Sequence, residues 1–124
     1  MEKILCVDDD FSLLYLYQRE LSEEGYEVIL AKDGKEALSK FMKEKPRVVV
    51  LDIRLPVMDG IETLNALLGK DRQAQVILNT AYPEYKENFL TWGAAAYVVK
   101  SSDVTELKQR IREVLQGRKK FVQP

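Results

Sequence analysis

Val48, Val49, Val50 and Leu51 form an unbroken apolar run, largely β-branched, that stops at Asp52. A strand of this composition is buried on both faces, and such strands belong to the middle of a parallel sheet covered by helices. Asp52 then falls at the strand's carboxyl end, where the loops of an open α/β sheet converge on a crevice. Pro56 and the Met58-Asp59-Gly60 turn end the strand and hold a compact loop over the Asp52 side chain before a helix begins.

The alternation of apolar run and helical-period segment recurs along the chain. Lys3 to Val7 reads as a strand ending at Asp8, Asp9 and Asp10. A helix follows from Phe11 to about Glu24, with Asp10 as N-cap and Leu13, Leu16, Tyr17 and Leu21 as its buried stripe. Glu27 to Ala31 makes the second strand, and Asp33 with Gly34 opens a helix whose Ala37, Leu38, Phe41 and Met42 face inward. Ile61, Leu64, Leu67 and Leu68 mark the helix after the central strand. Gln75 to Asn79 is the fourth strand and reaches Thr80, and Pro83 suits the first turn of a short helix to about Trp92. Ala96 to Val99 is the fifth strand, ending at Lys100. Asp103 with Glu106 resembles a capping box for a last helix carrying Val104, Leu107, Ile111, Val114 and Leu115. Five strand–helix cycles with short connections imply a doubly wound α/β domain on a five-stranded parallel sheet. We expect one domain over 1–117, with 118–124 as a terminal tail or the start of a linker.

Composition narrows the functions open to such a fold. The 124 residues, 46% hydrophobic, suffice for a single core without metal or disulfide support. Nineteen basic residues against twenty acidic ones leave a formal net charge of -1, so no direct nucleic-acid or membrane partner is expected of the domain. A lone cysteine, Cys6, inside a strand reads as a buried thiol and fits a reducing compartment. No run approaches the ~20 apolar residues of a membrane span, and the first residues lack a secretion signal, so a cytoplasmic location is expected. Histidine is absent. That removes Ser-His-Asp catalysis, His-ligated zinc and phosphohistidine chemistry from within the chain; a histidine that takes part comes from another protein.

In a parallel sheet the strand ends share one edge, which here gathers Asp8, Asp9, Asp10, Asp52, Thr80 and Lys100. Carboxylates held about 4 Å apart repel by roughly 4 kcal/mol per pair at an effective dielectric of about 20, so the cluster must hold a cation or keep protons. A hard divalent cation such as Mg2+ suits carboxylate oxygens and leaves room for a phosphoryl oxygen. Asp52, at the centre, can attack phosphorus to form an aspartyl phosphate. The Thr80 hydroxyl and Lys100 ammonium are placed to hydrogen-bond the same oxygens.

The Val7-Asp8-Asp9 turn, Leu51-Asp52, Leu55-Pro56-Val57-Met58-Asp59-Gly60, Thr80-Ala81 and Gly93-Ala94 with Tyr97-Val98-Val99-Lys100 together resemble the receiver domain of the two-component response regulators, from Lys3 to about Leu115. The resemblance implies the flavodoxin-like (βα)5 fold with strand order 2-1-3-4-5. It implies that Asp52 is the phosphoacceptor, that Asp9 and Asp52 bind Mg2+ directly with the backbone carbonyl of Arg54, and that Asp8 assists through water. Thr80 and Tyr97 resemble the switch pair, Lys100 the lysine that pairs with the phosphoryl group, and Arg54 and Tyr82 occupy positions that tune its lifetime. The implied donor is a phosphohistidine on a sensor histidine kinase or histidine phosphotransfer protein, which answers the missing histidine. The domain is then a switch rather than a metabolic enzyme, as a stand-alone regulator or the receiver of a longer one, monomeric or dimerising on phosphorylation.

Two features depart from the family pattern: Ser101 stands where proline usually follows the lysine, and the Thr80 to Lys100 segment is about two residues short. Leu14 and Tyr15 lie off the expected buried stripe of the first helix, beside the acidic turn, and form a candidate docking patch for the helical domain carrying the donor histidine. An alternative reading is a Mg-dependent phosphohydrolase of the haloacid-dehalogenase type, since Asp8, Asp10 and Ser12 mimic its acidic motif. That type also needs a late acidic pair beyond its lysine, for which Asp103 alone is available. A flavin-binding module is weaker, because three acids after the first strand repel a phosphate lacking a metal.

Overall fold

The structure, a computed structural model, describes residues 1–55, 58–81, 88–89 and 92–117. Its elements run β1 (Lys3–Val7), α1 (Phe11–Glu23), β2 (Glu27–Ala31), α2 (Gly34–Glu44), β3 (Val48–Leu51), α3 (Gly60–Lys70), β4 (Val76–Thr80), β5 (Ala96–Val99) and α4 (Thr105–Leu115). The strands pair in parallel in the order β2-β1-β3-β4-β5, the expected topology.

Side chains alternate across each strand, so every inner strand feeds two cores. Ile4, Cys6, Val48, Val50, Ile77 and Val98 pack with α1 and α4 on one face. Leu5, Val7, Val49, Leu51, Leu78 and Tyr97 pack with α2 and α3 on the other. All four β3 residues are buried, which is why that strand reads as a solid apolar run. β2, at the sheet edge, is the least buried strand; the Lys40 ammonium donates to the Leu30 carbonyl oxygen there, at 2.6 Å, and covers a backbone group that would otherwise face a neighbouring chain.

Local chemistry sets the helix starts. The Asp10 carboxylate accepts from the Ser12 and Leu13 amides at the head of α1, and Asp33 accepts from Glu36 at the head of α2. Asp59 and Glu62 form a full capping box on α3. The box expected at Asp103 and Glu106 is not formed. Asp103 instead accepts from the Thr105 amide and hydroxyl, 2.9 and 2.6 Å away, because α4 begins two residues later, while Glu106 lies 3.9 Å from Arg110 one turn on.

Two expectations about burial are corrected. Leu14 is 2% exposed, so it belongs to the buried stripe rather than off it, and it meets the surface only in the lining of a groove beside Tyr15. The stripe of α1 is Leu14, Tyr17 and Leu21, at three- and four-residue spacing, and Leu13 and Leu16 are its half-buried flanks. A periodicity with apolar residues at 13, 14, 16 and 17 leaves the phase of the stripe open, and packing against the sheet and α4 settles it. Met42 is 53% exposed, because α2 buries Ala37 and Phe41 and turns the next residue outward. Among the described residues no peptide bond is cis, Lys100–Ser101 included. The helix expected over 83–92 and the tail at 118–124 fall wholly or mostly outside the described residues.

Candidate functional site

The carboxyl ends of β1, β3, β4 and β5 bring the expected residues to one rim. Asp8 follows β1 and Asp52 follows β3, each at most 5% exposed, while Asp9 stands open to solvent between them. Carboxylate oxygens of Asp8, Asp9 and Asp52 all lie within 4.8 Å of one another. Lys100, directly after β5, places its ammonium 2.6 Å from Asp8 Oδ2 and 2.9 Å from Asp52 Oδ2. Thr80 ends β4 fully buried. It shares a sheet face with Leu78 and with Leu78's partner Tyr97, so Thr80 and Tyr97 lie on the same side of the sheet.

Backbone bonds hold the rim in place. Asp8 N–H donates to Ala31 O, Asp52 N–H to Val7 O, and Lys100 N–H to Thr80 O, at 3.1, 3.2 and 2.8 Å. The remaining oxygens of the two buried acids are also engaged: the Asp10 amide donates to Asp8 Oδ1 and the Arg54 amide to Asp52 Oδ1. Gly60 closes the loop over Asp52. A Cβ there would lie 2.2 Å from the Asp52 carbonyl oxygen and 2.4 Å from the Ile53 Cα, so only glycine lets α3 start this close to β3.

The electrostatics follow from burial. Burial raises the Asp8 carboxyl above its ordinary range, and the Lys100 hydrogen bond opposes that shift without cancelling it. For Lys100, burial works against the ammonium, but its hydrogen bonds to Asp8 and Asp52 outweigh this and lift it to about 12. Three carboxyl groups face one ammonium, so the ionised cluster carries an excess of two negative charges. A hard, oxygen-seeking divalent cation fits that donor set and that charge.

Asp10 does not join the cluster, because its side chain is occupied as the α1 cap. The phosphohydrolase alternative, which leaned on Asp8, Asp10 and Ser12, therefore finds no support. Arg54 is exposed beside Asp52, and Tyr82 lies outside the described residues. Tyr15, 64% exposed, and Phe11, 58% exposed, flank a groove of about 270 Å³ that also takes in Leu14, Leu30, Lys32 and Lys40. The sequence reading missed Asn79, whose carboxamide donates to the Tyr17 hydroxyl oxygen at 2.8 Å inside the core. Its signal was available: an amide that follows the apolar run Val76–Leu78 within the same buried strand calls for a buried partner.

Residues 4–112 match the family model of the response regulator receiver domain. The chain is 41% identical to the probable transcriptional regulator ycf27 of Porphyridium aerugineum, covering 92% of this chain and 48% of that protein. It is 35% identical to sporulation initiation phosphotransferase F of Bacillus subtilis, covering 92% and 94%. The chain thus spans about half the length of the transcriptional regulators it matches. The crystal structure of response regulator TrrA of Thermotoga maritima in complex with Mg(2+)-BeF has a TM-score of 0.86 at 40% identity, covering 92% of this chain and 99% of that one. TrrA in complex with histidine kinase ThkA gives 0.85 at 41% identity, covering 93% and 99%. Strand order, acid cluster and a family match across nearly the whole described chain agree, and the chain belongs to the response regulator receiver domain family.

Proposed function

We propose that Asp52 accepts a phosphoryl group and that the domain works as a phosphorelay switch. The observation that carries this reading is a buried aspartate at the end of the central strand, 2.9 Å from a lysine ammonium and clustered with two further acids. An Asp52 carboxylate oxygen attacks phosphorus, and the bond from phosphorus to the donor nitrogen breaks with its electron pair leaving on the imidazole. As the carboxylate becomes an acyl phosphate, the Lys100 ammonium moves its hydrogen bond from Asp52 to a phosphoryl oxygen, and the Thr80 hydroxyl donates to another. Tyr97, on the same face as Thr80, follows that movement and changes the surface a partner sees.

Asp8, Asp9, Asp52 and the Arg54 backbone carbonyl are the groups that would hold Mg2+, Asp8 through water. When bound it neutralises charge on the phosphoryl oxygens. Arg54 and Tyr82 would set how readily water reaches the acyl phosphate. The donor is a phosphohistidine on a sensor histidine kinase or phosphotransfer protein, consistent with a chain that has no histidine. The docking patch is then Tyr15 and Phe11 at the surface with Leu14 in the lining of their groove, a face suited to a helix of the donor domain. We place the domain in the cytoplasm, as a stand-alone regulator or the receiver of a longer one, monomeric or dimerising on phosphorylation. Among the described residues no helix is long and apolar enough to cross a membrane.

Incubation with Mg2+ and acetyl phosphate, read by intact mass, tests the central claim. Wild type gains one phosphoryl mass and Asp52→Ala gains none; equal labelling of the two would overturn the assignment.

A further inference from the structure

Tyr17 and Asn79 form a buried polar pair in the apolar layer between the sheet and helices α1 and α4. They are 2% and 3% exposed, and the Asn79 carboxamide donates to the Tyr17 hydroxyl at 2.8 Å across 62 residues of chain. Around them pack Leu14, Leu21, Ile77 and Val98, all apolar. Stability alone does not account for such a pair, since replacing both partners by apolar groups of similar shape is close to neutral.

The position of the pair does supply a reason. Asn79 is joined by its peptide to Thr80, whose carbonyl oxygen accepts from the Lys100 amide at 2.8 Å. Lys100 in turn reaches Asp8, and Asp8 Oδ1 accepts from the amide of Asp10, the residue that caps α1. α1 carries Tyr17. The contacts therefore close a ring around the acid cluster, from Asp8 through α1, Tyr17, Asn79, Thr80 and Lys100 back to Asp8. In that ring the Tyr17–Asn79 bond ties the helix next to the acidic turn to the strand that ends in the hydroxyl.

We propose that Tyr17 and Asn79 are positioning residues that hold Thr80, and through it Lys100, in register with Asp52. This rests on the reading of Asp52 as the phosphoacceptor. Neither residue touches the phosphoryl group; each acts by fixing the end of β4, so that the hydroxyl and the ammonium need no rearrangement when the group arrives.

The test uses the full chain with Mg2+ and acetyl phosphate, the donor varied through saturation and phosphorylated mass followed in time. Tyr17→Phe and Asn79→Leu each lower the limiting rate about fivefold, the effect of one hydrogen bond, with the half-saturating donor concentration within about twofold of wild type. The double variant is no slower than the slower single one, because each change removes the same bond. Leu21→Ala, buried one turn along the same helix, lowers stability without lowering the limiting rate of the folded protein. Rates for Tyr17→Phe and Asn79→Leu that match wild type or exceed it, or losses that add in the double variant, overturn the proposal. A second readout needs no phosphoryl donor: the backbone amide resonances of Thr80 and Lys100 move in Tyr17→Phe and stay in place in Leu21→Ala. Unmoved resonances in Tyr17→Phe also overturn it. A wild type that gains no phosphoryl mass counts against the phosphoacceptor reading, and the resonances then decide the positioning claim by themselves.

Discussion

The Lys100 ammonium lies 2.9 Å from Asp52 Oδ2 although 48 residues separate them, and the same nitrogen is 2.6 Å from Asp8. One cation thus holds two buried carboxylates that would otherwise repel. Lys100→Met keeps the length of the stem and removes the charge-assisted bonds, each worth about 1.5–3 kcal/mol. Phosphorylation of Asp52 by acetyl phosphate should slow by about 10- to 100-fold, read by intact mass against time. A rate equal to wild type would show that the ammonium takes no part.

Metal binding should be visible as stability. A cation that binds the folded cluster and not the unfolded chain stabilises by mass action, about 2.7 kcal/mol at a hundred times its dissociation constant. The melting temperature should rise with Mg2+ and return on chelation, and the rise should shrink in Asp9→Asn, whose exposed side chain can be changed without disturbing the core. A rise of equal size in that variant would place the cation elsewhere.

Glycines 60 and 69 should respond oppositely to alanine. At Gly60 a Cβ meets backbone atoms of Asp52 and Ile53, which cannot move aside, so Gly60→Ala should cost about 3 kcal/mol. At Gly69, inside α3 with nothing within 4 Å, alanine should add up to about 1 kcal/mol by lowering the entropy of the unfolded chain. Urea denaturation midpoints of the two variants check the pair.

Tyr15 and Leu14 are neighbours in sequence with separate roles. Leu14→Ala should lose about 2–5 kcal/mol of stability as a core truncation. Tyr15→Ala should stay within about 0.5 kcal/mol of wild type. In Tyr15→Ala the rate of transfer from a phosphorylated histidine domain should fall relative to the rate with acetyl phosphate. An unchanged ratio would remove Tyr15 from the docking face.

Alkaline pH should weaken the fold through groups that hold their protons more tightly when folded: Lys100, lifted to about 12, and the buried acids Tyr17 and Cys6. Burial pushes the Tyr17 hydroxyl from its ordinary 10.0 to about 12, outweighing the Asn79 hydrogen bond, and pushes the Cys6 thiol from 9.0 to about 12 with the Asp8 charge adding to the shift. In the window between those values the folded chain keeps protons that the unfolded chain has lost. Stability is therefore complete below about pH 9 and declines as pH climbs toward 12. Tyr17→Phe should make the decline above about pH 10 shallower by the tyrosine's share, leaving that of Lys100. Urea midpoints between pH 8 and 11 read the slope, and the thiol should resist alkylation until the chain unfolds.

Most of the fold was legible because strands covered by helices leave a strong pattern. Lys3–Val7, Glu27–Ala31 and Ala96–Val99 can be read off to the residue, and the strand ends then name Asp8, Asp9, Asp52, Thr80 and Lys100 as neighbours. The structure makes a capping box at Asp59 with Glu62 and none at Asp103 with Glu106, where one was expected, since a cap depends on where the chain turns as well as on residue type.

Hydrophobic order along the chain determined the sheet, its parallel sense and the set of groups at its rim, because each strand's alternation is a local property of residue type. Which side of α1 meets the sheet was decided in three dimensions, for a stripe widened by Leu13 and Leu16 has more than one phase that buries apolar area. Lys100 bridging Asp8 and Asp52, Gly60 lying against Asp52, and Asn79 finding Tyr17 were likewise decided there. Each is a contact between residues remote in sequence, and its distance depends on strand register and helix packing that no single segment encodes.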